Sequence, residues 1–206
     1  MMRKNRKISQ PKKSVFSFVV DGKCELWYLQ MLKQRESMNI NLEPKLPQKK
    51  KLKDQYKLIS ELSKESEIVF WIVDFDVIIK ESKEVKRHEK NKLQEFRETY
   101  EKLKKNEKVK ILVNNPCLEY WFLLHFEQTS KYYETYDKME KYLIKYLPDY
   151  EKSEKYYKNS RKNIYENLRP YLQTAVANAE KLGKFDFENI HTGVADIYLF
   201  FNKYIL

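Results

Sequence analysis

Two short apolar segments of the sequence each end in acidic residues. Residues 15–20 are followed by Asp21, and residues 69–73 are followed by Asp74 and Asp76. Short runs rich in β-branched and aromatic residues are typical of strands buried on both faces of a parallel sheet. Ligands of such sheets bind at the carboxyl ends of the strands. We therefore expect the three aspartates to meet in one pocket.

Asp74 and Asp76 are separated by a single residue. Alternate residues of an extended chain point the same way, so the two carboxylates can share one divalent cation. Two acids this close repel each other unless a cation or a proton relieves them. The alternative is a turn at the end of the strand, in which both aspartates cap backbone amides and face water. The pattern by itself leaves both interpretations open.

The first acidic motif is Asp21-Gly22, followed three residues later by Glu25. Glycine permits a sharp turn and leaves the backbone open to a ligand. Glu25 falls on the first turn of a helix predicted over residues 25–34, so both acids face the same rim of the sheet. Acidic residues also stabilise helix N-termini through the backbone dipole, and a purely structural role is the alternative.

Residues 117–126 form a predicted helix that is apolar nearly all round and yet contains Glu119 and His125. The Asn-Asn-Pro sequence before it predicts an asparagine cap, with proline at the first helical position. A buried acid needs a partner, and a metal, a lysine or free backbone amides would serve Glu119. His125 does not share the face of Glu119 and is more typical of a hydrogen-bonded core residue.

Apolar runs and helical patterns alternate along the chain, which predicts β-α-β units and a parallel sheet. Strands are expected at residues 15–20, 40–46, 68–73 and 109–113. The second is expected at a sheet edge, because Pro44 removes a backbone donor. We predict an α/β fold with a basic flexible arm over residues 1–13, an α/β core over 14–130, and a helical C-terminal extension over 131–206 packed on the core.

The chain is strongly basic, with 41 lysines and arginines against 30 acids and a formal charge of +11. Nucleic acid is the leading partner for such a chain. The predicted nucleic-acid-binding residues, with Tyr156 and Tyr157 beside the later ones for base stacking, are Lys49, Lys50, Lys51, Lys158 and Arg161. The sequence has only three glycines and no phosphate-binding glycine-rich loop.

Compartment and membrane association follow from other features of the sequence. Two cysteines without metal-ligand spacing indicate a reducing environment. No apolar stretch approaches the roughly 18–20 residues that span a bilayer, and the basic start of the chain is a poor secretory signal. We expect a soluble cytoplasmic protein with no membrane partner, and the sequence leaves the oligomeric state open.

Three motifs occur in order along the chain. A strand followed by Asp-Gly-x-x-Glu ends at residue 25, a strand followed by Asp-x-Asp ends at residue 76, and Asn-Pro-Cys-x-Glu-x-Trp-x-x-x-His spans residues 115–125. With these motifs the chain resembles the RloB-like proteins, a Toprim-related family of bacterial defence systems. The resemblance covers nearly the whole chain, including Tyr-Tyr-Lys at 156–158 and Asn-Ile-His-Thr-Gly-Val at 189–194.

The resemblance implies a Toprim-like fold, a parallel sheet sandwiched by helices, in which a glutamate and an Asp-x-Asp pair use Mg²⁺ (or Mn²⁺) to cut or join phosphodiester bonds. It implies a nuclease of antiphage defence and abortive infection that acts on DNA or RNA beside an ATPase of the AAA or ABC type. The site residues that follow are Asp74 and Asp76 as metal ligands, Asp21, Glu25 and Glu119 as catalytic residues, and Asn115 and His125 as accessory positions.

The chain departs from the family pattern at the first acid, where the usual Glu-Gly is Asp21-Gly22, and at Cys24, where related Toprim nucleases commonly have threonine. Either Asp21 serves with a shifted backbone, or Glu25 assumes its role, or cleavage is weakened. The alternative function is a catalytically degenerate module that binds nucleic acid or a partner. A structural scaffold for the ATPase is a third interpretation.

Overall fold

The structure, a computed structural model, describes residues 16–45, 51–84 and 91–206 of the 206-residue chain. These residues contain a central sheet of five strands. The strands are β1 (Phe16–Val19), β2 (Ile40–Glu43), β3 (Ile68–Asp74), β4 (Val109–Asn115) and β5 (Val194–Ala195). Their order across the sheet is β2-β1-β3-β4-β5, and only β5 runs antiparallel to its neighbour.

Helices surround the sheet and form most of the C-terminal part of the chain. They are α1 (Lys23–Arg35), α2 (Leu52–Glu65), α3 (Phe75–Lys83), α4 (Lys92–Leu103), α5 (Leu118–Leu124), α6 (Tyr136–Leu143), α7 (Glu154–Tyr157), α8 (Ile164–Leu168), α9 (Leu172–Leu182) and α10 (Tyr198–Tyr204). A short 3-10 turn that contains Pro170 separates α8 from α9, as the proline predicts.

Both faces of the sheet are covered because the central strand β3 is apolar on both. Phe70 and Ile72 belong to one apolar core, in which α1, α5, α9 and α10 pack. Trp71 and Val73 belong to a second core, which α2, α3 and α4 complete. A short strand without polar alternation therefore lies in the middle of the sheet.

The predicted α/β class, the mostly parallel sheet and the helical C-terminal part are confirmed. The edge position predicted for the second strand is also correct, since β2 is the terminal strand of the sheet that the described residues form. Residues 1–13, the predicted basic arm, lie outside the described residues. The division of the chain at residue 130 stays a prediction. No helix among the described residues has the length and apolar character required to cross a membrane.

The backbone around Asp74 differs from the prediction. An extended chain through Asp76 was expected to turn both carboxylates the same way, but β3 ends at Asp74 and α3 begins at Phe75. The expectation of an extended Asp-x-Asp segment is therefore wrong. The physical reason is the burial of Phe75, whose ring centroid lies 4.7 Å from that of Phe185. This packing draws the chain into a helix over the second core.

The late segment 185–196 closes the free side of β4. The Asn115 amide, which is buried, donates to the carbonyl oxygens of Ile190 at 2.8 Å and Thr192 at 2.9 Å. The Asp196 carboxylate accepts hydrogen bonds from the backbone N–H groups of Val113 at 3.3 Å and Phe185 at 3.1 Å. Two buried polar side chains therefore hold this segment against the carboxyl end of the strand.

Replacement of Asn115 by alanine tests this attachment. Asn115→Ala would leave two loop carbonyls without their donor, so we expect the free energy of unfolding to fall by about 2 kcal/mol. Urea denaturation measures the change. Asn189→Ala is the matched control, because Asn189 belongs to the same segment but is exposed, and its replacement should cost less than about 0.5 kcal/mol. Equal losses in the two variants would contradict the assignment.

Candidate active site

The carboxylate of Glu25 lies directly against Gly22, at the start of α1. Glu25 is only 5% exposed. A Cβ atom added to Gly22 would lie 2.1 Å from Glu25 Oε2, so any side chain at position 22 would displace the carboxylate. The backbone of Gly22 has φ of −104°, which other residues adopt freely. Glycine is therefore needed here for space, and its absent side chain makes room for the acid.

The carboxyl groups of Glu25 and Asp74 lie against each other at the carboxyl end of β3, close enough for one to donate a hydrogen bond to the other when it is protonated. Burial raises the pKa of both groups. The negative charges of Glu25 and Glu119 raise the pKa of Asp74 further, well above its usual range. A buried carboxyl and a half-buried one in contact cannot both be ionised without a compensating charge. The pair therefore holds a proton or requires a cation.

Asp74 also caps the helix that carries Glu119. Its Oδ1 accepts a hydrogen bond of 2.9 Å from the backbone N–H of Leu118, the first residue of α5. The predicted asparagine cap is wrong, since α5 has Cys117 at its N-cap and Pro116 lies before the helix. A carboxylate from the neighbouring strand takes the place of the local cap, because β3 ends beside the start of α5.

Glu119 is fully buried and is paired with a lysine, one of the three partners foreseen for it. Its Oε1 accepts hydrogen bonds from Lys152 Nζ at 2.9 Å and from the Tyr150 hydroxyl at 2.8 Å. Its Oε2 has no hydrogen-bond partner among the described residues. The ammonium group of Lys152 lies 3.4 Å from the centre of the Tyr136 ring. Two aromatic residues and one lysine of the C-terminal part thus surround this acid.

A chain of hydroxyl and thiol groups continues from Glu119 toward α1. The hydroxyls of Tyr150 and Tyr157 are 2.5 Å apart, and Tyr157 is in turn hydrogen-bonded to the thiol of Cys24. Burial and the charges of Glu119 and Glu25 raise the pKa of Cys24 to about 12, so the thiol is neutral. Cys24 therefore contributes a neutral, hydrogen-bonding thiol to the first turn of α1.

Asp76 occupies the first turn of α3, beside Lys152. Burial raises its pKa to about 6, although the backbone N–H groups of Tyr136 and Val77 donate to it and the charge of Lys152 also lowers the pKa. Its own backbone N–H donates to the Pro116 carbonyl at 3.0 Å, which fixes α3 against the start of the α5 segment. This carboxyl can change its ionisation near neutral pH.

The acids line two adjoining cavities. The smaller, about 310 Å³ in volume, is lined by Asp21, Glu25 and Asp74. The larger, about 590 Å³, is lined by Asp76 and Lys152. Val77 lines both. The structure thus brings Asp21 and Asp74 together with Glu25, but Asp76 lines the neighbouring cavity, so the three aspartates do not meet in one pocket as expected.

A protein-family model described as "RloB-like protein" matches residues 16–201 of the chain. The chain belongs to the RloB-like family. The predicted resemblance is therefore confirmed, and the matched region contains every acid of the two cavities. Searches of curated proteins and of solved structures found no match.

Among the predicted nucleic-acid-binding residues of this RloB-like chain, those that the structure describes do not line the two acid cavities. Lys49 and Lys50 lie outside the described residues, and Lys51 is exposed just before α2. Lys158 is ion-paired with Glu154 at 2.6 Å. Arg161 is exposed and lines a separate cavity of about 680 Å³ with Arg35 and Arg169. Tyr157 is fully buried, so it is not accessible for base stacking in this structure.

The two accessory positions have structural surroundings. Asn115 holds the late segment, as described above. His125 is buried, its Nδ1 lies 2.9 Å from the Trp121 carbonyl oxygen, and its ring packs edge-on against the Trp121 ring. Burial lowers the pKa of His125 to about 4, so the imidazole is neutral. This agrees with the interpretation of His125 as a core residue.

Several residues at the site were not foreseen. Asn114 is fully buried, has no partner for either side-chain polar atom among the described residues, and lies beside Asp74 in the register of the sheet. A signal for it existed, since Asn114 follows the apolar strand 109–113 just as Asp74 follows 68–73. Tyr150 and Lys152 gave no such signal, because their proximity to Glu119 depends on tertiary packing.

The chemistry of the acids in this RloB-like protein fits a hard divalent cation. In the described part of the chain, no group of three or more histidine, cysteine or acidic side chains is already arranged around a metal position. Mg²⁺ is commonly held by only one or two carboxylates, with water and phosphate oxygens as its other ligands. Glu25 Oε2 is buried and has no hydrogen-bond partner within the described ranges, and its carboxyl group meets that of Asp74. This pair is the candidate metal position.

Removal of one carboxyl from the pair should stabilise the protein. Both groups have raised pKa values, so the folded state binds more protons than the unfolded state above about pH 4, and stability declines as the pH rises. We expect Glu25→Gln to increase the free energy of unfolding at about pH 8 by about 1–2 kcal/mol, and to reduce its decline between about pH 5 and pH 8.

Urea denaturation in EDTA at several pH values measures the free energy of unfolding and so checks this expectation. Glu101→Gln is the control, because Glu101 is exposed on α4 and its charge is also removed. A Glu25→Gln variant that is less stable than the wild type at high pH, with the same dependence on pH, would contradict the carboxyl pair.

Proposed function

We propose that this protein is a Mg²⁺-dependent nuclease with a Toprim-type site, which cuts phosphodiester bonds of nucleic acid in antiphage defence. The observation that carries the proposal is the contact between Glu25 and Asp74 at the carboxyl edge of a parallel sheet. Membership of the RloB-like family supports the same interpretation, since the resemblance implies a glutamate and an Asp-x-Asp motif in this place. Mn²⁺ is the alternative cation.

Glu25 is the best candidate for the role of the first family acid. Of the three outcomes considered for the Asp21 substitution, the geometry favours transfer of the role to Glu25. Glu25 reaches Asp74 because Gly22 leaves room for its carboxylate. Asp21 lines the same cavity and remains a catalytic candidate beside it. The departure from Glu-Gly is thus compatible with an active enzyme.

Bound Mg²⁺ would polarise a phosphodiester oxygen and make a bound water easier to deprotonate. In this proposal Glu25 and Asp74 hold the cation, and their mutual repulsion is the source of its affinity. Asp74 stays oriented by its hydrogen bond from Leu118 N–H. The buried side of the pair is kept free of bulk water by α1 and α5, whose residues Leu26, Leu29 and Leu118 are closed off from solvent.

Lys152 and Asp76 supply charged groups to the larger of the two cavities. The side chain of Lys152 is 38% exposed while its ammonium is paired with buried Glu119, so its other donors can bind a phosphate in the larger cavity. Asp76, with its pKa of about 6, can hold or release a proton near neutral pH. Glu119 acts through Lys152, since its contacts keep that lysine in position.

A neighbouring ATPase of the AAA or ABC type is the proposed regulator. The family resemblance is the support for this partner. The sequence, with three glycines and no glycine-rich phosphate loop, supplies no nucleotide-binding motif of its own. In this view any dependence of cleavage on ATP comes from the partner.

A nucleic-acid-binding or partner-binding module without catalysis is the second candidate. It is favoured by the absence, in the described residues, of a preformed group of three metal-ligating side chains. It predicts binding without cleavage, and retention of binding when the acids are replaced. The nuclease predicts loss of cleavage while binding is kept.

A cleavage assay separates the two candidates. Purified protein, with and without the neighbouring ATPase, is incubated with plasmid DNA and with small RNA in Mg²⁺ or Mn²⁺. We expect Asp74→Asn and Glu25→Gln to lower the rate by at least about 100-fold, because catalytic geometry tolerates little displacement. Asp74→Asn retains an oxygen that can cap Leu118, so loss of activity would not follow from loss of the helix cap.

Glu101→Gln should cut at the wild-type rate. If the wild type is as inert as the two variants with every substrate, metal and partner, while nucleic acid still binds, the nuclease proposal fails and the binding module replaces it.

Metal binding can be measured without cleavage. Millimolar Mg²⁺ should raise the melting temperature of the wild type at about pH 8, since a ligand that binds only the folded state stabilises it. The shift should be lost in Glu25→Gln and retained in Glu101→Gln. An equal shift in all three proteins would place the cation elsewhere.

A further inference from the structure

Three lysines converge on one tyrosine ring at the surface formed by α6 and its flanking segments. The Nζ atoms of Lys131, Lys141 and Lys145 lie 4.5, 5.5 and 5.0 Å from the centre of the Tyr142 ring. Tyr142 itself packs on Tyr133, with 5.0 Å between ring centroids. We refer to these five residues as the tyrosine–lysine surface.

The positive charge of this surface is not neutralised within the described protein. None of the three lysines forms an ion pair with a carboxylate among the described residues. Lys131 Nζ instead donates a 2.6 Å hydrogen bond to the Tyr142 hydroxyl, and this donation lowers the pKa of Tyr142. An aromatic ring attracts cations only weakly when they are exposed. Three converging ammonium groups therefore leave a place for anions.

An open cavity of about 530 Å³ gives access to this surface. Lys131, Lys141, Tyr133 and Tyr142 line it, and its acidic lining residue is Glu134. The Glu134 carboxylate is already shared between Lys83, at 2.5 Å, and Lys138. The cavity thus combines a positive lining with the partly exposed ring of Tyr142, which packs on the buried Tyr133.

The same Glu134 connects this cavity to the candidate active site. It also lines the 590 Å³ cavity, together with Asp76 and Lys152. A chain molecule that lies over the tyrosine–lysine surface can therefore continue along Glu134 toward the acids.

We propose that the tyrosine–lysine surface binds single-stranded nucleic acid and directs it into the acid site. This inference rests on the proposed nuclease function and adds to it the strandedness of the substrate. Lysines bind the phosphates of any nucleic acid, but tyrosine rings stack only on bases that are not hidden in a duplex. The pairing of both residue types in one cavity favours the single strand, and both DNA and RNA strands have the required chemistry.

Fluorescence anisotropy tests the surface in EDTA, where no cleavage interferes. The probes are labelled oligo-dT, oligo-U and a DNA duplex of equal length. The triple variant Lys131→Gln/Lys141→Gln/Lys145→Gln should bind both single strands about 10- to 50-fold more weakly at physiological salt. The slope of log Kd against log salt concentration should fall by about 2, because each of the three lost phosphate contacts contributes about 0.7.

The matched control is Lys102→Gln/Lys105→Gln/Lys108→Gln. These lysines are exposed at the end of α4 and in the turn before β4, and the control loses the same net charge. It should bind within about threefold of the wild type, because distant exposed charges are screened by salt.

The ring is tested by two substitutions of Tyr142. Tyr142→Phe keeps the ring and should bind single strands within about threefold of the wild type, whereas Tyr142→Leu should lose at least about fivefold. Binding of the duplex should change little between these two variants. Single-strand affinities that are equal in Tyr142→Phe and Tyr142→Leu would overturn the stacking role.

The outcomes for the surface and for the nuclease are distinguishable. Equal losses in the two triple lysine variants, or a larger effect on duplex than on single strands, would overturn this inference even if the enzyme cuts. If no cleavage is found but the single-strand losses occur as expected, the nuclease proposal fails and the binding surface stands.

Discussion

The contact between Glu25 and Asp74 requires a proton or a cation, and the arrangement of the elements around it follows from this contact. Asp74 ends the central strand, accepts the first backbone N–H of α5 and meets the side chain of α1. Three elements from different parts of the chain are therefore joined at one carboxylate. The backbone N–H of α5 stabilises the ionised form of Asp74, whereas the charges of Glu25 and Glu119 destabilise it. The ionisation of Asp74 therefore depends on whether a proton or a cation lies between it and Glu25.

The surroundings of the pair amplify this conflict of charges. Glu119 raises the pKa of Glu25, of Asp74 and of Asp76, although it is itself paired with Lys152. A protein selected only for stability would gain by replacing some of these buried acids with neutral residues. Their accumulation at a sheet edge, where α/β proteins bind ligands, is better explained by a function that needs negative charge.

The sequence predicted the strands and the position of the acids well, because both depend on local patterns. The two buried strands were recognisable from uninterrupted apolar residues, and the motif Asp21-Gly22-x-x-Glu25 placed two acids at the same rim. The contacts of Glu119 were less predictable. Its partners, Tyr150 and Lys152, lie about 30 residues away, between α6 and α7 of the predicted helical extension, and only packing of the C-terminal part brings them to α5.

The course of the chain near β4 has a consequence for the order of synthesis. The free side of that strand is completed by residues 194–195, and Asp196 binds the backbone of Val113. Lys152, which neutralises Glu119, also follows long after the strands that carry the acids. On the ribosome, the acid-bearing strands emerge first and remain unfinished until the late segment is translated. The acids at the carboxyl end of β3 would thus reach their final surroundings only after residue 196 has been translated.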